Sequence, residues 1–431
     1  MRSAEFQGEV VRGTEPVLTF RTPHSAFGIL TDRMKFPDRL PIPDEVLQIA
    51  QRLESAGYET WCVGGAIRDT LLDLENHDFD LTTAAPPEEV RRLFKRTVPV
   101  GIEHGTVAVL DARGRPHEVT TFRKDIQTDG RHAVVRFGVS LMDDLARRDF
   151  TINAIAYHPI RCEWRDPFTG AGDLERRIIR SVGDPNRRFQ EDYLRILRAL
   201  RFSARFEFRI DERTLEAATA NVQGLSQLSA ERVRDEWFKG IETAKRVSKL
   251  VRLWVDVGAA RIWLPEIRTP GQGTRETGNV DQLPRDPVLV TAFLASDPAS
   301  LLTRLKCSNR DVERGRAIGQ WKDRYPDPSH LPDVRRWLSE TGESADDLLA
   351  LLPAFAVSRF PFPVSRLPKV VAAIRDARDP LTLKELAITG DDLIAAGVRP
   401  GPDVGAALQR LLAEVLEDPS RNTKEHLLSR V

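Results

Sequence analysis

Cysteine is scarce in this chain, which holds three cysteines in 431 residues. Cys62, Cys162 and Cys307 lie far apart in the sequence, so they form neither a disulfide framework nor a four-ligand metal site. The eight histidines also lack the spacing of metal ligands. These shortages exclude the small disulfide-bonded secreted class and fit a reducing cytosol.

Long apolar runs and net charge are missing as well. No apolar run approaches the ~20 residues that a membrane helix needs, and the N-terminal sequence MRSAEFQGEV has no apolar signal core. We therefore expect a cytoplasmic protein with no membrane partner. Lys plus Arg and Asp plus Glu both total 64, so the net charge identifies no partner and local charge has to be examined. The length predicts about two to four domains.

The most informative stretch is VGGAIRDTLLDLENHDFDL, which ends at Leu81. Its Gly64-Gly65 pair allows the backbone to approach a ligand closely, and the short helix predicted after the pair directs N–H groups toward an anion. Arg68 on that helix adds a planar fork of donors that matches a phosphate. Because a glycine pair is also a simple way to enter a helix, the phosphate interpretation depends on the acids nearby in the chain.

Two carboxylates come later in the same stretch. If HDFDL is a strand, Asp78 and Asp80 project from one face, where they can hold divalent cations. Such a pair alone is more often the solvated end of a strand. Glu118, an acid within a β-rich segment, is the candidate third metal-facing carboxylate, and its alternative role is that of a buried ion-pair partner. Together with the glycines, these acids predict a site where a triphosphate and its metals meet.

Periodicity and turn signals predict the elements around this stretch. A helix is expected from Pro43, a buried strand at YETWCV and a second helix at APPEEVRRLF. GTVAVLDARGRPHEVTTFR predicts a hairpin with strands 106–110 and 117–122. The polar segment 124–138, which contains Asp129 and Arg131, is expected to be a mobile loop, and residues 143–157 are expected to be helical.

The second half of the sequence is predominantly helical in its pattern. DPFTGAGDLERR predicts a turn cluster, a short helix and a hinge between domains. FQEDYLRILRALRFSARF predicts one continuous helix, on which Arg195, Arg198 and Arg201 form a basic stripe. Residues 269–286, rich in Gly, Pro and Thr, predict a surface loop.

Taken together, the motifs resemble one family closely. In chain order they are GGAIRD with DFD, HGT, EVTTFR, RRDFTINA, DPFTGAGDL, EDYLRILRALRF and SAERVRDEW. This series resembles the class II tRNA nucleotidyltransferases, the CCA-adding enzymes, and the related bacterial poly(A) polymerases. The resemblance covers residues 43–237 strongly, and the helical remainder mainly in LAITGDDLIAAG and NTKEHLL.

The resemblance implies an α+β fold and a division into four parts. Residues 1–42 would be a weakly ordered extension, and residues 43–178 a catalytic head of the polymerase-β nucleotidyltransferase type, with a small mixed sheet and flanking helices. Residues 179–245 would form a helical neck that selects the base. Residues 246–431 would form an all-α body and tail that binds the acceptor and T arms of tRNA through shape and phosphate contacts.

The resemblance also implies roles for the acids and for the residues near them. Asp78 and Asp80 would bind two Mg²⁺ ions with assistance from Glu118, for in-line transfer of a nucleotide from CTP or ATP to the RNA 3′ end. The phosphates and the rest of the nucleotide would be contacted by residues of the GGAIRD and RRDFTINA motifs, namely Gly64, Gly65, Arg68, Arg148, Asp149 and Asn153.

Base selection without a nucleic-acid template requires protein groups that match a Watson–Crick edge. Asp192 can accept from the amino group of cytosine or adenine, while Arg195 donates to the ring nitrogen or carbonyl. On a continuous helix the i, i+3 spacing would put both on one face. By the family resemblance Arg198 and Arg201 would also contact the nucleotide. The plain alternative for these arginines is an exposed helix face paired with neighbouring acids.

Several products remain open within this family. GIEHGTVAVL resembles the CCA-adding branch, and the chain lacks a strongly basic tail, so addition of C, C and A to tRNA from CTP and ATP is favoured over poly(A) synthesis. The sequence DGRH at 129–132 does not distinguish a full CCA-adding enzyme from a CC-adding or an A-adding one. A silent tRNA-binding relative is a further alternative, although the retained acids and arginines argue against it.

Overall fold

The computed structural model of the chain describes residues 36–75, 78–101, 105–128, 133–267, 279–355 and 359–431. Most of the expected N-terminal extension, the 129–132 sequence and much of the loop expected at 269–286 lie outside these residues. The fold is α+β, as predicted, with the strands concentrated in the N-terminal part and helices throughout the rest.

Short strands and mostly short helices make up the described part of the chain. The strands are β1 Thr60–Val63, β2 Asp80–Thr83, β3 Thr97–Gly101, β4 Thr106–Leu110, β5 Pro116–Thr121, β6 Arg123–Thr128, β7 Ala133–Phe137, β8 Ala156–His158, β9 Glu163–Arg165, β10 Ile178–Ile179 and β11 Arg209–Ile210. The α-helices are α1 Asp44–Ser55, α2 Gly65–Leu71, α3 Pro87–Leu93, α4 Leu141–Ala146, α5 Gly170–Glu175, α6 Pro185–Glu191, α7 Leu194–Phe206, α8 Glu212–Ala220, α9 Ala230–Thr243, α10 Val247–Val257, α11 Ala259–Trp263, α12 Pro287–Leu294, α13 Pro298–Arg304, α14 Asn309–Trp321, α15 Leu331–Thr341, α16 Ala345–Leu351, α17 Leu367–Asp376, α18 Gly390–Ala395, α19 Pro402–Glu417 and α20 Lys424–Leu428.

A mixed sheet organises the head. Among the described residues its strand order is β3-β4-β5-β2-β1-β8-β9, with β2 and β5 parallel and the other neighbours antiparallel. The interior strand β1, which neighbours the central strand β2, is buried along its whole length, as expected of a strand covered on both faces. The pairing of β2 with both β1 and β5 places the start of β2 beside the end of β1.

Helix α1, helix α3 and the β4–β5 hairpin confirm the predictions for the head. The prediction of a loop at 124–138 was wrong, because β6 and β7 form an antiparallel hairpin from the pair Arg123 and Phe137 to the pair Thr128 and Ala133. Polar residues masked the strand signal of the β-branched pair Val134-Val135. A two-stranded ribbon also satisfies its own backbone hydrogen bonds without burying an apolar face.

The prediction of helix over 143–157 was only partly right. Helix α4 opens with a capping box at Ser140 and Asp143 but ends at Ala146. The chain then bridges to Ser181 at the buried Phe150, makes a short 3₁₀ turn and enters β8, which pairs with β1. Pairing with the sheet has overridden local helix propensity here.

The neck differs from its prediction at one point. Instead of a continuous helix, α6 ends at Glu191 and α7 begins at Leu194, while Asp192 is extended with φ −156° and ψ 106°. The apolar positions on both sides continue at helical spacing, so the periodicity could not reveal the break. The carboxylate of Asp192 accepts from the backbone N–H of Leu194 at 3.1 Å, which is a local bond that competes with helix continuation.

One large apolar core runs from the neck into the body. Helix α7 packs on α9, and the buried Trp237 of α9 donates its indole N–H to Thr291 of α12 at 2.9 Å. A separate small core near the C-terminus includes Leu393, Leu411 and Leu427. None of the described helices combines the length and the apolar character needed to cross a membrane.

Candidate active site

Gly64 forms the corner where β1 turns into α2. Its φ of 78° favours glycine, and a Cβ at this position would lie 3.2 Å from Nη1 of Arg148 and 3.9 Å from Oδ2 of Asp80. The corner therefore brings open backbone, an arginine and a carboxylate into one place. Gly65 is the first residue of α2 and packs against Arg68.

The predicted acids lie together beside this corner. Asp80 starts β2 opposite Val63, and Glu118 occupies the neighbouring position on β5, one residue before the pair Leu81 and Val119. Asp78 precedes the strand and is exposed, as is Glu118, whereas Asp80 is half-buried. Burial, together with the carboxylates of Glu118 and Asp78, raises the pKa of Asp80 to about 6. The exposure of Glu118 also argues against the alternative that it is a buried ion-pair partner.

These acids fit a hard divalent cation. The raised pKa of Asp80 means that its negative charge is incompletely balanced by the protein, since only Arg148 opposes the three causes that raise it. Within the described residues, no three acidic, histidine or cysteine side chains converge into a complete metal cage. Mg²⁺ commonly takes one or two carboxylates and completes its shell with water and substrate phosphates. The donor set is therefore suited to a metal that arrives with a triphosphate.

Arg148 is held close to the acids by α4. Its Nη2 donates to Asp144 at 3.2 Å, and Asp144 also binds Arg147 at 2.8 Å while being fully buried. Burial would raise the pKa of Asp144, but the two guanidinium groups lower it. The Nε of Arg148 is buried and has no hydrogen-bond partner among the described residues. The Nη1 of Arg148 faces the Gly64 corner, so Arg148 can offer a donor to an anionic ligand there without leaving Asp144.

A second polar cluster fixes the RRDFTINA segment to the neck. Asp149 accepts from the side-chain amide of Asn153 at 2.9 Å and from Arg198 at 2.7 Å. Burial would raise the pKa of Asp149, but Arg198 and Asn153 lower it to about 2. For Arg198, burial would lower the pKa, yet Asp149 and Glu236 raise it. Asp149 is therefore ionised and firmly held over the physiological range.

Arg68 lies in the interior rather than at an open surface. It is 4% exposed, bonds to Asp69 and Asn153, and lies over the rings of Phe202 and Phe206 of α7 at 5.0 and 4.8 Å. Asp69 also binds Arg205 of α7 at 2.9 Å. In this structure Arg68 joins the head to the neck. Its predicted contact with phosphate stays a prediction.

The base-reading pair predicted in the neck is split by the break before α7. Asp192 pairs with Arg232 of α9, whereas Arg195 donates to Glu191 and to the backbone carbonyls of Arg188 and Arg147, each within 3.1 Å. The contact with the carbonyl of Arg147 brings Arg195 next to the head. The prediction of one continuous helix through the pair was wrong, because Asp192 and Arg195 flank the start of α7, and their joint role in base selection stays a prediction.

Arg201 is buried where α7 packs on α9. It is 3% exposed and donates to the carboxylate of Glu236 on α9 at 2.6 Å. Burial lowers its pKa, and Glu236 opposes that shift. The structure thus assigns Arg201 a packing role, and its nucleotide contact stays a prediction.

Three charged residues that matter here were not predicted from the sequence. Asp144 holds both arginines of the RRDF motif, Glu236 holds Arg201, and Arg232 holds Asp192. Arg232 and Glu236 belong to SAERVRDEW, a motif that carries the family resemblance but assigns no role to either residue. The available signal was an acid, Glu236, at a position on the apolar face of an amphipathic helix.

Three family models match this chain. They are "Poly A polymerase head domain" at residues 60–180, "Probable RNA and SrmB- binding site of polymerase A" at residues 207–269, and tRNA nucleotidyltransferase domain 2 at residues 371–431. The CCA-adding enzyme of Limosilactobacillus fermentum is 36% identical over 399 residues, covering 88% of this chain and 94% of that protein. The chain belongs to the CCA-adding enzyme family. Membership implies dependence on a divalent metal ion.

Solved structures of this family have the same fold. The Bacillus stearothermophilus CCA-adding enzyme in complex with CTP matches with a TM-score of 0.72 and 32% identity, covering 90% of this chain and 96% of that one. The Thermotoga maritima CCA-adding enzyme complexed with tRNA matches with a TM-score of 0.63 at 20% identity, which indicates a common fold alone. The likeness therefore spans both the sheet and the helical remainder of the chain.

Proposed function

We propose that this protein adds C, C and A to the 3′ end of tRNA, using CTP and ATP and releasing pyrophosphate. The observation that carries the proposal is the corner at Gly64, where Asp80, Glu118 and Arg148 meet beside open backbone. The family relationship and the CTP complex of the Bacillus relative support the choice of nucleotides. The match to tRNA nucleotidyltransferase domain 2 supports tRNA as the acceptor.

Asp78 and Asp80 are the proposed ligands of two Mg²⁺ ions, with Glu118 assisting. Bound divalent ions supply charge neutralisation of the triphosphate and activation of the attacking 3′-hydroxyl. The protein's own contribution is to bring Asp80, at the start of β2, beside Glu118 on the neighbouring strand β5. Gly64 and Gly65 keep the corner free of side chains, so the phosphates can approach the backbone of α2.

Arg148 is the proposed phosphate-side arginine, because its Nη1 faces the open corner at Gly64 while Asp144 anchors its Nη2. Asp149 and Asn153 are proposed to border the ribose. Their mutual hydrogen bond and the ion pair with Arg198 fix their orientation before the nucleotide binds. Such preorganisation places the reacting groups without further ordering at the moment of reaction.

Asp192 and Arg195 are the proposed readers of the incoming base. The carboxylate accepts from the amino group that cytosine and adenine share, and the guanidinium donates to the adjacent ring nitrogen. Uracil and guanine present a carbonyl where Asp192 requires a donor, so they leave it without a partner. Arg198 is proposed to lie beside this pair, where it forms an ion pair with Asp149.

We propose the division into head 43–178, neck 179–245 and body with tail 246–431. The seven-stranded sheet supports the extent of the head, and the separate core around Leu411 supports a tail within residues 246–431. The body and tail would clasp the acceptor and T arms of tRNA.

The experiment that tests this function measures extension of defined acceptors. Transfer RNAs ending before the first C, after CC and after CCA are incubated with Mg²⁺ and with CTP and ATP, separately and together. The proposal predicts two C additions to the first tRNA, one A addition to the second and none to the third. Addition limited to CC or to A would show a partial-specificity enzyme. Runs of A on unstructured RNA would show a poly(A) polymerase.

A further inference from the structure

The side chain of Asp192 has to point at the incoming base, yet the residue lies outside both neighbouring helices. It lies between α6 and α7 with extended backbone, so neither helix fixes the direction of its side chain. The local constraint is one hydrogen bond, from the N–H of Leu194 to Oδ1 at 3.1 Å. That bond leaves Oδ2 undirected by the local backbone.

Arg232 of α9 supplies the missing constraint. Its Nη2 lies 3.0 Å from Oδ1 and 2.8 Å from Oδ2 of Asp192, so one donor group bridges both carboxylate oxygens. Forty residues separate the two in sequence. The packing of α7 on α9 brings them together, reinforced one turn further along α9 by the buried pair of Glu236 and Arg201.

The Asp192–Arg232 pair is neither a fully buried structural pair nor a solvated one. The side chains are 29% and 31% exposed, which leaves the carboxylate open to a ligand from one side. The Nη1 of Arg232 is buried and makes no hydrogen bond among the described residues. An arginine that served only to stabilise the fold would ordinarily pair both of its Nη atoms, since a buried N–H without an acceptor is costly. The arrangement instead commits the Nη2 of Arg232 to the carboxylate of Asp192.

Arg195 is held by a different set of elements. Its guanidinium contacts Glu191 at the end of α6 and the carbonyl of Arg147 in the head. The acceptor half of the base-reading pair is therefore fixed from α9, and the donor half is fixed from α6 and the head. The two halves can be perturbed separately.

We propose that Arg232 is a positioning residue for base selection, which aims the Asp192 carboxylate at the amino group of cytosine and adenine. The proposal rests on the proposed function and deepens it. Arg232 acts through Asp192 and touches neither the triphosphate nor the reacting hydroxyl. Its Nη2 lies near both oxygens, so glutamine, which lacks the charge, cannot replace it, and lysine retains the charge on a head group of different shape.

The test compares ATP with purine riboside triphosphate, an analogue that lacks the 6-amino group, during A addition to tRNA ending in CC. Asp192 can bond to the amino group of ATP and has nothing to bond in the analogue. Arg232→Gln is expected to reduce the kcat/KM preference for ATP over the analogue about tenfold, the worth of one well-placed hydrogen bond to a charged group. The preference of Arg232→Lys for ATP over the analogue is expected to lie between those of Arg232→Gln and the wild type. Inhibition by pyrophosphate should be the same in all three proteins.

Arg234→Gln is the matched control. Arg234 lies on the same helix with a similar exposure of 28%, but it bonds to Asp235 and to the carbonyl of Lys306. Arg234→Gln should keep the wild-type preference for ATP over purine riboside triphosphate. In the background of Asp192→Asn, Arg232→Gln should cause little further loss, because the two residues act as a unit.

The outcomes separate the proposal from the function beneath it. If Arg232→Gln slows ATP and the analogue equally, or if Arg234→Gln causes the same loss of preference, Arg232 is structural and the proposal is overturned. If the wild type adds neither C nor A to tRNA, the proposed function itself is overturned. If Arg232→Gln folds poorly, Arg232→Lys takes its place. A reduced preference of Arg232→Lys for ATP over the analogue, in kcat/KM and in equilibrium binding, would support the proposal, and an unchanged preference would overturn it.

Discussion

Asp80 carries the clearest signature of a functional residue in the head. Its pKa is about 6 instead of an ordinary 3.8, owing to burial first and then to the carboxylates of Glu118 and Asp78. The folded protein therefore binds this proton more tightly than the unfolded chain does. The stability that this proton contributes is fully present below pH 3.8 and is lost as the pH rises through about 6.

This shift predicts that Asp80→Asn stabilises the metal-free protein at high pH. Because the amide cannot ionise, the advantage of the variant in free energy of unfolding should grow by about 1 kcal/mol between pH 5 and pH 8. Urea unfolding in the presence of a chelator measures it. Asp78→Asn, at an exposed position, is the control and should change less. An advantage that is the same at both pH values would contradict the origin given for the shift.

Divalent metal should reverse the order of stability. Mg²⁺ binds the folded carboxylates of the wild type, so at pH 8 its addition should raise the melting temperature of the wild type and leave Asp80→Asn nearly unchanged. Ca²⁺ and an equal ionic strength of NaCl serve as comparisons. An equal rise in both proteins would show that the ion binds elsewhere.

Arg201 and Glu236 predict a stability effect rather than a binding effect. Glu236→Gln leaves a buried guanidinium without its counter-charge, which should lower the free energy of unfolding by about 3 kcal/mol. The double variant Arg201→Met with Glu236→Leu should recover much of that loss. Urea unfolding measures the stability of each variant, and ATP binding shows whether the site is affected. Weakened ATP binding at unchanged stability would instead support the predicted nucleotide contact of Arg201.

At the scale of elements, the site depends on short segments that local sequence patterns describe poorly. The hairpin of β4 and β5 was predictable because alternation and a Gly turn agree. The ends of α4 and α6 were not, since the chain after α4 forms a bridge between Phe150 and Ser181, and Asp192 accepts a hydrogen bond from the N–H of Leu194. Both departures lie next to proposed nucleotide contacts, where tertiary pairing overrides propensity.

Helix α5 shows how tightly one such segment is packed. Gly170 faces the 3₁₀ turn that precedes β8 and carries Asn153, and a Cβ on it would lie 2.2 Å from the carbonyl oxygen of Thr151. Gly170→Ala should therefore lower the free energy of unfolding by about 1–3 kcal/mol, the usual cost of overpacking, and reduce nucleotide addition. Thermal melting and primer extension measure the two effects.

Gly172→Ala is the control on the same helix. A Cβ there would meet only the end of the Arg176 side chain, at 3.4 Å or more. Since alanine is the better helix former, this variant should be as stable as the wild type or slightly more so. Equal losses in both variants would show that the backbone contact of Gly170 is not what limits substitution.

At the scale of the whole molecule, the sequence predicted the α+β architecture and the acids of the head, because their motifs are local and contiguous. It could not predict which charged groups meet across domains. Arg68 was expected at the phosphates but is enclosed by Phe202 and Phe206, and Arg232 reaches Asp192 only through the packing of α7 on α9. Such pairings depend on tertiary geometry, for which a single sequence contains no spacing rule.

The neutral net charge of the chain leads to a prediction about tRNA binding. With 64 basic and 64 acidic residues overall, affinity must come from basic groups gathered on one surface. The logarithm of the association constant for tRNA should fall linearly with the logarithm of salt concentration, and Asp80→Ala should share that slope with the wild type. A flat salt dependence in filter binding would contradict recognition through phosphates.

The most direct test of the proposed chemistry is A addition to tRNA ending in CC by the wild type and by Asp80→Ala, in the presence of Mg²⁺. We expect one A added by the wild type from ATP, none from GTP or UTP, and no detectable addition by Asp80→Ala although it still binds tRNA. Extension by Asp80→Ala at the wild-type rate would contradict the assignment of Asp80 to the catalytic metal site.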